Sequence, residues 1–181
     1  YDHALFTVLR PARYIDSVEA VELGELHVFT GRDFVITVRF AENPDVGRIR
    51  RRLESTPELL RLGPEAVLYA ILDQVVDEFE PVIAGLENDL FEVEAQVFTG
   101  DEGVSRRIYE LSREVIELQL SARPMIGMLK ALAVGFEKYL VDEELRRYLR
   151  DVEDHLIKAV ERIDGLRAML QNILSVNATL V

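Results

Sequence analysis

Residues 141–181, VDEELRRYLRDVEDHLIKAVERIDGLRAMLQNILSVNATLV, decide the fold. Counted from Leu145 in alternating steps of four and three, they give Leu145, Leu149, Val152, Leu156, Ala159, Ile163, Leu166, Leu170, Ile173, Asn177 and Leu180. Such a heptad predicts one helix of roughly 60 Å at about 1.5 Å per residue, with a single apolar seam. No Gly or Pro closes the pattern, so the helix is expected to run on beyond Val181 as a stalk. Asn177 is the one polar residue on the seam. It reads either as a register-setting residue or as a tolerated polar position near the far end.

Working back from this helix, two more amphipathic segments appear. In residues 64–98, Leu72, Val75, Phe79, Val82, Leu86, Leu90, Val93 and Val97 hold their spacing through Pro81, which predicts a kink rather than a break. After the turn Thr99-Gly100-Asp101-Glu102-Gly103, residues 104–133 carry Val104, Ile108, Leu111, Val115, Leu118, Ala122, Met125, Leu129 and Leu132 as a third seam. Residues 134–143 read as a loop. The three helices are expected to pack antiparallel with left-handed crossing.

The first 62 residues differ. Residues 4–9, 17–23, 25–30 and 33–40 read as short strands, the last two joined at Gly31-Arg32. Phe34, Ile36, Val38 and Phe40 share one strand face. So few strands make a poor sheet alone, so helices or further strands are expected against them. A short basic helix over 45–53 carries Arg48, Arg50, Arg51 and Arg52, and Thr56-Pro57-Glu58 starts another with Thr56 as N-cap. The fold class is therefore α/β (α+β): a small, mostly antiparallel sheet flanked by helices, then three long amphipathic helices. The expected divisions are 1–62, a partial α/β domain; 63–140, an acidic antiparallel helix pair; and 141–181, the stalk helix.

Composition narrows the function. The net charge of −12 argues against nucleic acid, which requires a basic stripe. There is no signal peptide and no apolar run of 18 or more residues, which predicts a water-soluble portion. The absence of Cys suits a reducing, cytoplasmic setting. Nothing supports an enzyme: no G-x-S-x-G, H-E-x-x-H, phosphate loop or EF-hand loop occurs, and His3, His27 and His155 are scattered. His27 reads as a half-buried or exposed sheet residue. Arg48–Arg52 reads as a solvated face that pairs with carboxylates, or as a contact for an acidic partner.

The acid distribution says more. Residues 1–61 hold nine Lys/Arg against ten Asp/Glu, and residues 62–181 hold twelve against twenty-three. No base occurs between Arg61 and Arg106, although nine acids stand from Glu65 to Glu94. Asp73 and Asp77 are spaced i,i+4 on one predicted helix, and Asp151 and Asp154 are i,i+3 on another. Each pair lies beside a seam residue, Leu72 or Val152. Like charges at these spacings repel by about 0.2–0.5 kcal/mol per pair. A divalent cation removes that repulsion, and hard oxygen ligands suit Mg2+, which takes one or two carboxylates and keeps several waters. The same four residues also read as a solvated acidic face with diffuse counter-ions.

Several stretches resemble the CorA-type divalent-cation (magnesium, cobalt) transporters, specifically their cytoplasmic domain. They are Phe6-Thr-Val-Leu-Arg-Pro-Ala-Arg13, Glu25 through Arg39, Ala66-Val-Leu-Tyr-Ala-Ile-Leu-Asp-Gln-Val-Val-Asp77, Arg107 through Leu118, and Tyr148-Leu-Arg-Asp-Val-Glu-Asp-His155. The resemblance implies a homopentameric channel-like protein of the cell (inner) membrane, with this portion on the cytoplasmic side and the stalk leading to the membrane spans. It implies that Mg2+, with Co2+ possible, binds between neighbouring cytoplasmic domains and holds the pore closed. Asp73 and Asp151 match the regulatory carboxylates, with Asp77 and Asp154 as secondary acids. The family's Gly-Met-Asn motif and its other regulatory acids fall outside residues 1–181. A zinc-transporting branch shares the architecture, but three His and no Cys give no soft-metal site. The reading from another class is a non-transport helical scaffold that oligomerises through its heptads.

Overall fold

A computed structural model describes residues 4–99 and 103–180. Alternating apolar residues build two small antiparallel sheets. The first has strand order β1 (Ala4–Leu9), β4 (Leu26–Gly31), β5 (Val35–Arg39); the second pairs β2 (Ala12–Ile15) with β3 (Ala20–Leu23). Sequence reading missed β2, which is only four residues long and follows Pro11. Helices α1 (Val46–Glu54) and α2 (Pro57–Leu60) lead into α3 (Pro64–Asp77), α4 (Phe79–Thr99), α5 (Val104–Lys138) and α6 (Glu143–Leu180).

The pleat divides the larger sheet into two faces. Thr7, Leu9, Leu26, Val28 and Thr30 point inward and are buried, with α3 packed on this side. Phe6, Val8, Ile36, Val38 and Phe40 lie on the other face and stay open, Phe40 at 68% exposure. Phe6 stacks on Phe29 across the strands with ring centroids 4.6 Å apart, and the half-buried His27 meets Phe6 and Phe40 edge-on. The residues expected to share a β5 face do so, and that face is outside.

All three long helices bury the predicted seams. Leu72 through Val97, Val104 through Leu132 and Leu145 through Ile173 supply the positions named above, each buried. Asn177 is buried too, and its amide donates to Ser105 Oγ of α5 at 2.8 Å. The Leu180 side chain lies outside the described residues, as does the turn at 100–102. The single kinked helix expected over 64–98 is instead two helices, α3 and α4, which part at Glu78, three residues before Pro81. Pro81 has no N–H for the carbonyl of Asp77 and its ring crowds that carbonyl. The helix is interrupted for one residue, Glu78, whose dihedrals stay helical (φ −68°, ψ −15°), so the seam keeps its phase.

Two local expectations are corrected. Thr56 makes no side-chain cap; its hydroxyl donates to the Arg52 carbonyl at 3.2 Å instead. The loop expected from residue 134 is helical to Lys138, because the apolar spacing carries on from Leu132 to the buried Phe136. The end is a Schellman turn: Val141 N–H donates to the Phe136 carbonyl and Leu140 N–H to that of Glu137. The left-handed position, normally glycine, is held by Leu140 at φ 55°.

The β2–β3 hairpin is fixed to the helices by polar groups. Tyr14 O–H lies 2.9 and 2.8 Å from the two carboxylate oxygens of the buried Asp89 on α4. Gly85, one turn earlier, admits the Tyr14 ring: a Cβ there would stand 2.6 Å from it. Glu114 of α5 accepts the Val21 N–H, and Arg107 of α5 donates to Glu19. Burial pushes the Asp89 carboxyl up despite the Tyr14 hydrogen bond, and burial with the Asp89 contact pushes the Tyr14 phenol up.

Two outcomes follow. A non-glycine residue in the left-handed region costs about 1–2 kcal/mol, and glycine returns part of this as unfolded-chain entropy. Leu140→Gly is therefore expected to raise Tm, by up to about 1 kcal/mol of stability, where Leu140→Ala does not. An acid whose folded pKa is raised stabilises below its unfolded value and loses that contribution as pH rises through the folded one. Asp89→Asn, which keeps an acceptor for Tyr14, is expected to match the native Tm near pH 3 and exceed it increasingly above about pH 4. A constant Tm difference across that range would contradict the assignment.

Candidate metal centre

The four aspartates sit on two helices that pack together, α3 and α6. Leu72 and Val152 are buried beside them, which leaves the carboxylates at the rim of the contact. Asp73 is the most enclosed, with 14% of its side chain exposed. Its Oδ2 accepts from Arg52 Nη1 of α1 at 2.8 Å. Asp77, one turn further, is exposed, and its Oδ1 stands 3.8 Å from Nδ1 of His155 on α6. Burial and the charge of Asp73 push the Asp77 carboxyl up, against the pull of His155 and Arg52. Asp151 and Asp154 are exposed on α6, whose contacts with α3 include those of Tyr148 and His155.

The structure thus brings Asp77 to the His155 end of the Arg-Asp-Val-Glu-Asp-His run, and engages Asp73 with an arginine rather than with another acid. Among the described residues, no three His, Asp or Glu side chains converge as a cation cage.

Four acids of the base-free run from Glu65 to Glu94, namely Asp73, Glu80, Glu87 and Glu92, pair with arginines from other helices, and a fifth, Asp89, accepts from a tyrosine. Arg162 of α6 forks between Glu80 and Glu87 of α4, 2.9 Å from Glu87 Oε2. Arg107 of α5 takes Glu92 at 2.6 Å, Tyr14 holds Asp89, and Arg52 holds Asp73. The basic helix behaves as a carboxylate-paired face: Arg50 bonds Glu54, and Arg51 lies 3.6 Å from Asp45. Sequence reading did not single out Arg52. It lies 21 positions before Asp73, beyond any helical spacing, and its three neighbouring arginines look alike.

Beside Arg52 is a cleft whose walls include Tyr69, Tyr148, Glu58 and Glu144. The Tyr69 and Tyr148 rings stack at 5.3 Å between α3 and α6, and Tyr148 O–H bonds Glu144. No helix among the described residues is long and apolar enough to cross a membrane.

Comparison with known proteins places this architecture. The fold matches the soluble domain of CorA from Methanocaldococcus jannaschii with a TM-score of 0.83 at 18% identity, over 99% of this chain and 72% of that one. In sequence the chain is 29% identical over 156 residues to the putative metal ion transporter YfjQ of Bacillus subtilis, covering 86% of this chain and 49% of YfjQ. It is 21% identical over 178 residues to the cobalt/magnesium transport protein CorA of Thermotoga maritima, covering 97% of this chain and 50% of that protein. The chain therefore spans about half the length of the curated relatives it matches. The sequence pattern of one family, described as CorA-like Mg2+ transporter protein, matches residues 1–181 from end to end, and the chain belongs to that family.

Proposed function

We propose that this chain is the cytoplasmic sensing and gating portion of a divalent-cation transporter, and that Mg2+, or Co2+ in its place, is the ion sensed. Asp73 and Asp151 supply the principal regulatory carboxylates, and Asp77 and Asp154 assist. As the resemblance to the family implies, the ion lies between neighbouring copies in a homopentamer. Bound there, it offsets the repulsion between acidic rims and favours the closed assembly. Loss of the ion loosens the boundary, and α6 carries the change toward membrane spans on the inner membrane. The three portions keep separate tasks: 1–62 with the sheet, 63–140 with the acidic helix pair, and 141–181 with the stalk.

The observation that carries this reading is the family match over the whole chain, with Asp73 and Asp77 on α3, which packs against α6. Oxygen donors favour a hard cation, and the chain holds three His and no Cys, so zinc is not adopted as the ion. A non-transport scaffold would account for the seams but not for the family match.

The test is a titration of the 181-residue chain with MgCl2, following Tm and mass by light scattering, against NaCl of equal ionic strength. The expected result is a Tm rise or assembly at millimolar Mg2+ that NaCl does not reproduce. The double variant Asp73→Ala, Asp151→Ala is expected to lose it. The same response to both salts would mean screening alone and would remove the residue assignment.

A further inference from the structure

The inner face of the larger sheet is not covered to its end. Leu5 stands directly across from Thr30 in the β1–β4 ladder, so the two share the inward face, yet Leu5 is 42% exposed. The gap is a cavity of about 620 Å³ between this end of the sheet, the start of α3 and the C-terminal end of α5. That volume lies within the range of about 300–1,000 Å³ typical of small-molecule sites. Leu5, Leu68, Leu132 and Phe136 give it apolar walls. Its width comes from α5, where Ala131 and Gly135 border it one turn apart, and a Cβ on Gly135 would meet no atom within 4 Å. Three polar groups in the wall are unsatisfied. Thr30 is 7% exposed and its Oγ1 makes no hydrogen bond, a costly state that folded proteins keep rare. Arg32, between β4 and β5, and Glu65, in the first turn of α3, border the same cavity. Among the described residues neither has an ion pair or a side-chain hydrogen bond, and they do not pair with each other.

We propose that this cavity is a binding site for a neutral amphiphile, an aliphatic body ending in a hydroxyl. The apolar walls take the body. The end group meets Thr30, Arg32 and Glu65: its oxygen accepts from the guanidinium and the Thr30 hydroxyl, and its own O–H donates to the Glu65 carboxylate. One cation and one anion bordering the same cavity leave no net charge, so a charged head of either sign gains from one and is repelled by the other. A neutral head that both donates and accepts satisfies all three groups. The occupant touches the sheet, α3 and Val141 of the α5–α6 connection together, so its binding ties these elements to one another. The site is separate from the aspartates of α3 and α6 and does not depend on their holding an ion.

The experiment is a titration of the 181-residue chain with n-octanol, octanoate and octylammonium at fixed ionic strength, followed by the NMR shifts of the leucine methyl groups and by Tm. It compares the native chain with Thr30→Val, Gly135→Ala, Gly135→Leu and Phe40→Ser. n-Octanol is expected to shift Leu5, Leu68 and Leu132, and to bind at least about threefold tighter than either charged analogue. Gly135→Leu fills the space and is expected to abolish these shifts, whereas Gly135→Ala keeps them; if Gly135→Leu does not fold, Ala131→Leu takes its place. Thr30→Val is expected to weaken n-octanol by about three- to tenfold, the worth of one hydrogen bond, and to raise Tm of the unliganded chain because the unpaired hydroxyl is gone. Phe40→Ser, on the open outer face of the sheet, is expected to leave binding unchanged. No binding of n-octanol, or binding that survives Gly135→Leu, overturns the site, and loss in Phe40→Ser would put the molecule on the outer face instead. Tighter binding of octanoate or octylammonium overturns the neutral end group. An unchanged affinity in Thr30→Val overturns the part given to that hydroxyl.

Discussion

The apolar seam of α6 is the constraint on which the rest depends. From Leu145 to Ile173 it is buried at every heptad position, and α3, α4 and α5 all pack against this one helix. At about 1.5–3 kcal/mol for each fully buried large aliphatic side chain, this seam is a large continuous term, matched along its length by the buried seam of α5. The seam decides where α3 and α4 can lie, and α3 in turn carries the inner face of the sheet. The placement of Asp73 and Asp77 beside α6 follows from apolar packing, not from attraction between acidic groups.

Electrostatics then adjusts what packing imposes. Packing brings nine carboxylates from Glu65 to Glu94 into a stretch with no base of its own. The bases come from three other helices: Arg52 from α1, Arg107 from α5 and Arg162 from α6. Each joins elements distant in sequence, so the charge pattern and the tertiary fold specify one another. Individually such pairs are worth little where exposed. Their larger effect is on orientation: the Arg162 fork fixes α4 against α6, and Arg107 reaches both Glu92 and the β2–β3 hairpin.

Periodicity made most of the fold legible. Every seam residue named from spacing in 64–98 and 104–133 is buried, and the seam keeps its phase across the interruption at Glu78, because both depend on local rules. The four-residue β2 was not legible, since a strand that short has too few alternations to show a period. The α5 end was placed five residues early, at 133, while the spacing from Leu132 to the buried Phe136 shows that the helix continues to Lys138. At the candidate site, the spacing of Asp73–Asp77 and Asp151–Asp154 put each pair on one side of its helix and beside a seam. The partners of those acids were invisible: Arg52 and His155 lie 21 and 78 residues away from them, and only packing brings them near.

Asn177 and its bond to Ser105 bear on how α6 can move. A seam of interchangeable aliphatic residues could slip by one heptad at little cost, because each side chain would meet another of similar size. A buried amide deprived of its partner costs about 1–3 kcal/mol, so slippage at this end is penalised. Nearer the middle, Asp164 of α6 is held by Arg123 and Gln119 of α5, and Arg167 donates to Gln119 at 2.8 Å. Two polar anchorages spaced along the same pair of helices oppose sliding and screw rotation of α6 on α5, so the register of this pair is set by polar groups and not by the seam alone.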